Sequence, residues 1–261
     1  GQIMEFTARD RIAVANEFHS TIVDGTVLNA AYVVKDEASA VRTRKLALFE
    51  GEDQFGRIHP LLGLAEDSVD INGRPIKAGP LSWEEPITEA PKLGDTEIWQ
   101  VFNNTEDAHP VHLHLVQYQV LGRYKIAETD LNGDGYLNDL GAAIPLYPED
   151  VGNQDTVWVG PGEALKIIST WDRPGEFVWH CHILSHEDHT MMRPLQVINT
   201  VDGTARADTL NGTDDVDELT GGRGNDVLHA GGDDDMFVAT LRDGNDRYYG
   251  DLGNDTLDLS A

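Results

Sequence analysis

Through most of the first 200 residues, short runs rich in β-branched and aromatic side chains alternate with Gly, Pro and Asp punctuation. The runs are TEIWQVFN (96–103), HLHLVQYQVLGRY (112–124), DTVWV (155–159), ALKIISTW (164–171), GEFVWHCHIL (175–184) and PLQVINT (194–200), separated by stretches such as GPGE and DRPGE. Period-two patterning at this spacing predicts an all-β fold, a β-sandwich over 46–200, and not alternating β/α units. Residues 15–45 lack clear periodicity and read as a connection into that sandwich.

From Gly203 the pattern changes to a nine-residue period. Asp208, Asp217, Asp226 and Asp235 take position six, and Leu210, Leu219, Leu228 and Phe237 take position eight. A two-residue insertion at Ala239–Thr240 shifts the frame, which resumes with Asp246 and Tyr248, then Asp255 and Leu257. GGRGNDVLH (221–229) matches G-G-x-G-x-D-x-U-x in full, and the stretch resembles RTX calcium repeats. The resemblance implies a parallel β-roll over 201–261. Glycines would permit its turns, the six aspartates with turn carbonyls would hold Ca²⁺, and the apolar position would fill the interior.

Charge sharpens this division. The chain carries 46 acidic and 19 basic residues, net −27, and from Val201 onward 15 acidic residues stand against 4 basic ones. Such a balance excludes nucleic acid and anionic membrane as default partners. It suits a solvated extracellular protein or one that binds cations. No apolar run reaches the roughly 18 residues needed to span a membrane. A single cysteine rules out an internal disulfide framework.

That cysteine carries the chemistry. In a strand, His180 and His182 point one way and Cys181 the other; likewise His112 and His114 share a face while His109 faces opposite. Adjacent strands in this register build two metal sites on opposite faces, linked through the Cys-His backbone. Cys181 with His109, His186 and Met191 supplies two imidazoles, a thiolate and a thioether, the blue-copper ligand set. The other face offers imidazoles only, which suits copper that binds and reduces dioxygen. His19, His59, His189 and His229 lack such partners and read as ordinary surface or loop histidines.

HPVHLHLVQYQVL (109–121) and HCHILSHEDHTMMRPLQV (180–197) resemble the two C-terminal copper motifs of multicopper oxidases, of the spore-coat laccase and bilirubin oxidase branch. TRKLALFEGEDQFGR (43–57) and EEPITEAPKLGDTEIW (84–99) are similar to the entry into the last domain of that branch. The resemblance implies a cupredoxin-like Greek-key sandwich, with residues 1–14 as the last strand of a preceding cupredoxin domain. It implies type 1 copper on His109, Cys181, His186 and Met191, type 2 copper on His112, and type 3 copper on His114, His180 and His182. Glu187 would supply protons, and Cys181 would pass electrons to the histidine cluster. Substrates would be O₂ and a small reducing donor: phenolic, tetrapyrrole or a metal ion such as Mn²⁺. Two further His-x-His motifs that the family needs do not occur here. The chain therefore reads as the C-terminal part of a longer oxidase, or one chain of a split enzyme, whose remaining domains are its partners. A cupredoxin electron carrier or copper-binding module on an RTX scaffold is the alternative. The RTX resemblance implies secretion to the extracellular space by the type I route of a Gram-negative bacterium.

A last motif, DLNGDGYLND (130–139), fits the start of an EF-hand-type calcium loop. Asp130, Asn132 and Asp134 would offer side chains and Tyr136 a carbonyl, although the twelfth position is Gly141 and not Glu.

Overall fold

The computed structural model describes residues 33–259. The strand expected over 1–14, most of the 15–45 connection and His19 lie outside the described residues. The chain runs β1 (Arg42–Glu52), β2 (Ile58–Leu64), β3 (Ser68–Val69), β4 (Pro75–Ile76), β5 (Gly79–Leu81), β6 (Thr96–Asn103) and β7 (His109–Leu113). It continues through β8 (Tyr118–Ile126), β9 (Leu140–Ile144), β10 (Asn153–Gln154), β11 (Thr156–Val159), β12 (Glu163–Thr170), β13 (Gly175–Cys181), a short helix α1 (Leu184–Glu187) and β14 (Met192–Val197).

One sheet has the order β10-β8-β12-β6-β1-β2-β5, with β9 added on β8; the facing sheet is β11-β7-β13-β14. Neighbours in space are seldom neighbours in sequence, which is the Greek-key sandwich. Period-two patterning fills the space between the sheets. Leu46 and Leu48 of β1, Trp99 and Val101 of β6, Val111 and Leu113 of β7, Leu165 and Ile167 of β12, and Trp179 and Cys181 of β13 share one buried cluster. Trp99 packs against Trp171 and Trp179 with ring centroids 5.6 and 5.7 Å apart.

β1 starts at Arg42, inside the stretch 15–45 that reads as a connection. The reason is a buried charge. Arg44 is 5% exposed and forks onto Glu97 at 2.6 and 2.8 Å, so a polar residue occupies an interior strand position. The run 112–124 is also divided: Leu115 adopts φ 74, which ends β7 and separates it from β8.

The roll begins before Val201. β15 (Asn199–Asp202) follows β14 directly and pairs in parallel with β17 (Asp217–Thr220), after which come β19 (Met236–Val238) and β21 (Thr256–Asp258) in one sheet. The opposite sheet holds β16 (Thr209–Asn211), β18 (Val227–His229) and β20 (Arg247–Tyr249), also parallel. Leu219, Leu228 and Phe237 are buried between the sheets, with Leu210 and Tyr248 packed against them. Turn glycines are required where turns stack: Gly231 has φ +115, and a Cβ there would overlap the Thr213 carbonyl.

Candidate metal centres

Strand register sets the first cluster. β13 pairs antiparallel with β7 so that Cys181 lies opposite Val111 and His180 opposite His112. His109 and Cys181 therefore face the core side, and α1 brings His186 to them. Cys181 Sγ is 3.5 Å from His109 Nδ1 and 3.9 Å from His186 Nδ1, and the two Nδ1 atoms are 3.4 Å apart. Met191 is fully buried beside them. Its N–H donates to the His186 carbonyl at 2.9 Å, and its carbonyl accepts from the Cys181 N–H at 3.1 Å.

The surroundings fix the ligand atoms. Thr105 Oγ lies 2.7 Å from His109 Nε2 and 2.7 Å from Asn103 Oδ1. Asn103 Oδ1 and the Asp107 carbonyl beside Thr105 only accept, so the hydroxyl proton goes to one of them and Thr105 accepts from His109 Nε2–H. That tautomer leaves the Nδ1 lone pair facing the thiol. Glu50 Oε1, buried and without a hydrogen-bond partner, stands 3.7 Å from the same Nε2. Burial, then the neighbouring His186, pulls the His109 pKa down to about 4, so this imidazole is neutral at ordinary pH. Burial pushes the Cys181 thiol up to about 11, so in the metal-free chain it is protonated. Two imidazoles and a dry thiol are a donor set that copper fits and bulk solvent does not satisfy.

Sequence alternation puts the second cluster on the opposite face. Nitrogens of His112, His114 and His180 all lie within 4.8 Å of one another. His182 joins them, with its ring 5.5 Å from His112 and 5.4 Å from His180. His112 Nδ1 is 2.8 Å from the Asp155 carbonyl, so it carries the proton and leaves Nε2 as the donor atom. Burial lowers the pKa of His114 and of His180, keeping both rings neutral. Glu187 Oε2, buried without a hydrogen-bond partner, reaches toward His180 Nδ1 (3.4 Å) and His182 Nδ1 (3.8 Å). His114 and His182 are exposed, so this cluster opens outward.

The roll arranges its aspartates differently. Asp226 Oδ1 accepts the Asp208 N–H, Asp235 the Asp217 N–H and Asp246 the Asp226 N–H, each at 2.8 Å; Asp255 accepts the Asp235 N–H at 3.1 Å. The result is two ladders of stacked carboxylates, one on each side. Oδ2 of Asp226 and of Asp235 is buried with no partner. These orphaned oxygens are where a cation would fit. Burial and the Asp217, Asp255 and Asp233 carboxylates raise the Asp235 pKa to about 7. In the 130–139 loop, Asp130 accepts from the Gly133 and Gly135 N–H groups, Asn132 from Asp134, and Asp134 from Tyr136. The Tyr136 hydroxyl donates to Asp67. Among the described residues, no three carboxylate, histidine or thiol groups converge in the loop or in the roll.

Three of the histidines expected to stand alone do not. His59 and His189 pair, with centroids 5.2 Å apart, because β2 passes beside the turn after α1. His229 stacks on Tyr249 at 4.5 Å and lies 3.3 Å from Asp251, because residues one turn apart align in the roll. Thr105, Asn103 and Glu50 were not legible as partners of His109; only the fold brings β1 and β6 to it.

A sandwich that sets a Cys/His cluster back to back with a four-histidine cluster defines a copper protein class. The multicopper oxidase profile matches residues 66–201, half of the chain, and the RTX calcium-binding nonapeptide profile matches 200–237 and 240–257. The chain belongs to the multicopper oxidase family and carries RTX calcium-binding repeats. It is 43% identical over 158 residues to a laccase of Bacillus subtilis (strain 168), covering 60% of this chain and 27% of that protein. It is 39% identical over 128 residues to a laccase of Haloferax volcanii, covering 49% and 20%. Among solved structures, McoA multicopper oxidase from Aquifex aeolicus aligns at 26% identity and TM-score 0.42, covering 64% of this chain and 31% of that one. The chain thus spans between a fifth and a third of the length of these relatives. No described helix is long and apolar enough to cross a membrane.

Proposed function

We propose that this chain is the electron-accepting and part of the oxygen-reducing portion of a laccase-like oxidase. His109, Cys181, His186 and Met191 would hold type 1 copper; His112 would hold type 2, and His114, His180 and His182 type 3. Bound copper would supply one-electron oxidation of a phenolic, tetrapyrrole or metal-ion donor and four-electron reduction of O₂ to water. The observation that carries this reading is the position of Cys181, whose Sγ faces one cluster while its peptide neighbours His180 and His182 sit in the other. A simple electron carrier has no use for that second cluster. The exposure of His114 and His182 fits an interface completed by further histidine-bearing domains, in the same longer chain or a partner chain.

Each residue has a task. Thr105 and Asn103 hold the His109 ring with Nδ1 inward. The Asp155 carbonyl holds His112 with Nε2 outward. Glu187, between His180 and His182, would deliver protons to reduced oxygen, a reaction that consumes four. The position-six aspartates would hold Ca²⁺ in the roll, folding it after export to a calcium-rich exterior. The test is to restore the missing domains and measure turnover. Glu187→Gln should slow O₂ consumption in turnover while reduction of type 1 copper by the donor, measured without O₂, keeps its rate; loss of both rates alike would overturn the proton role. If the assembled wild-type enzyme consumes no O₂, the oxidase reading falls.

A further inference from the structure

His59 and His189 meet outside both clusters. His59 is half-buried in β2 and His189 is exposed just past α1. Their rings are 5.2 Å apart at 46°. The fold makes this pairing, since Thr190 Oγ donates to the Pro60 carbonyl at 2.5 Å and ties the two segments together. Among the described residues, every other pair of imidazoles in ring contact belongs to one of the two candidate copper clusters, at 4.9 to 5.5 Å. The closest parallel is His109 with His186, at 5.3 Å and 48°, whose facing nitrogens are 3.4 Å apart. The centroid spacing and tilt of His59 and His189 match those of this pair.

The position is as informative as the spacing. His189 lies three residues beyond His186, and its N–H donates to the His186 carbonyl at 3.2 Å. Residues three apart on a helical turn are neighbours. A cation on the pair would sit against the turn that carries a candidate type 1 ligand. Acidic Glu187 and Asp188 flank that turn, and the net charge of −27 draws cations to the whole surface.

We propose that His59 and His189 form a third metal site, which takes a first-row transition-metal cation with water completing its coordination. Imidazole donors select this class over calcium, which takes oxygen ligands. The site itself stands on the two rings; its use in holding a metal-ion donor at the type 1 side rests on the proposed function.

The test uses the whole chain, loaded with copper, stripped of loosely held copper with a chelator, then saturated with calcium and titrated calorimetrically with Zn²⁺. Wild type should bind one zinc more than His59→Ala or His189→Ala, with the blue absorption of both variants unchanged. His189 is exposed, so if His59→Ala fails to fold, His189→Ala decides alone. Equal zinc uptake by wild type and His189→Ala overturns the site. A chain that loses one zinc in the variants but never turns blue keeps this site and refutes the type 1 reading instead.

Discussion

The sandwich and the roll solve the same problem with opposite materials. In the sandwich, more than twenty buried apolar side chains form one cluster, and the buried charges Arg44–Glu97 and Arg123–Asp150 neutralise each other within the protein. In the roll, four buried apolar residues stand between ladders of carboxylates that face one another with no basic partner in the ladder. The sandwich carries its own counter-charges; the roll leaves Asp226 and Asp235 oxygens orphaned, a deficit that a bound cation would offset. Structure in the first region is written into the chain. In the second we expect it to depend on calcium in the solvent.

Chelating calcium should break that comparison most visibly. Amides of β16 to β21 should lose hydrogen-exchange protection, while those of β1 to β14 keep theirs. Protection retained across the roll in chelator would mean that its apolar positions suffice, and that the contrast is wrong.

The sandwich should fail instead when one of its internal counter-charges is removed. Arg44→Met leaves the Glu97 carboxylate buried without its fork, which should cost about 3–5 kcal/mol in denaturant unfolding. The loss should be the same with and without calcium. A loss near zero would show that Glu97 takes up water or a proton cheaply.

Acid should partly replace calcium in the roll. The Asp235 pKa is raised, burial being the main cause and neighbouring carboxylates the next. A carboxyl that holds its proton more tightly folded than unfolded adds stability when protonated. That contribution is lost as pH rises from about 3.8, the unfolded value, through about 7. Calcium-free chain should therefore show more roll structure by circular dichroism at the acid end of that window than above it. The opposite slope would contradict the assigned carboxylate repulsion.

Copper loading of the sandwich should run the other way with pH, and more gently. Cys181 is held near 11 by burial and must lose its proton to bind, whereas His109, held near 4, is already neutral. Apparent copper affinity should rise about tenfold per pH unit across neutrality, with about one proton released per ion at this site. A flat affinity would mean that the thiolate exists before the metal arrives.

How much of this was legible in the sequence follows from the same contrast. The roll and the two ligand-bearing strand faces repeat at fixed periods, nine and two, so Asp226 and Leu228, or Cys181 and His180, declare their sides without any tertiary knowledge. What was hidden depends on residues far apart in the chain. Arg44 reads as a surface charge until Glu97 of β6 is placed beside it. Thr105 and Glu50 read as loop and strand polar residues until His109 is between them. His59 and His189 read as solitary because nothing local couples β2 to the turn after α1. The division of 112–124 at Leu115 was missed because a positive φ on leucine has no sequence signal.

The central claim is that β7 and β13 place their ligands on two faces, with Cys181 belonging to only one. Visible absorption of the copper-loaded chain tests it directly in two variants. Cys181→Ser should abolish the intense blue absorption, whereas His112→Ala, on the other face, should leave it at wild-type intensity. Blue colour surviving in Cys181→Ser, or lost equally in both variants, would contradict the two-faced arrangement.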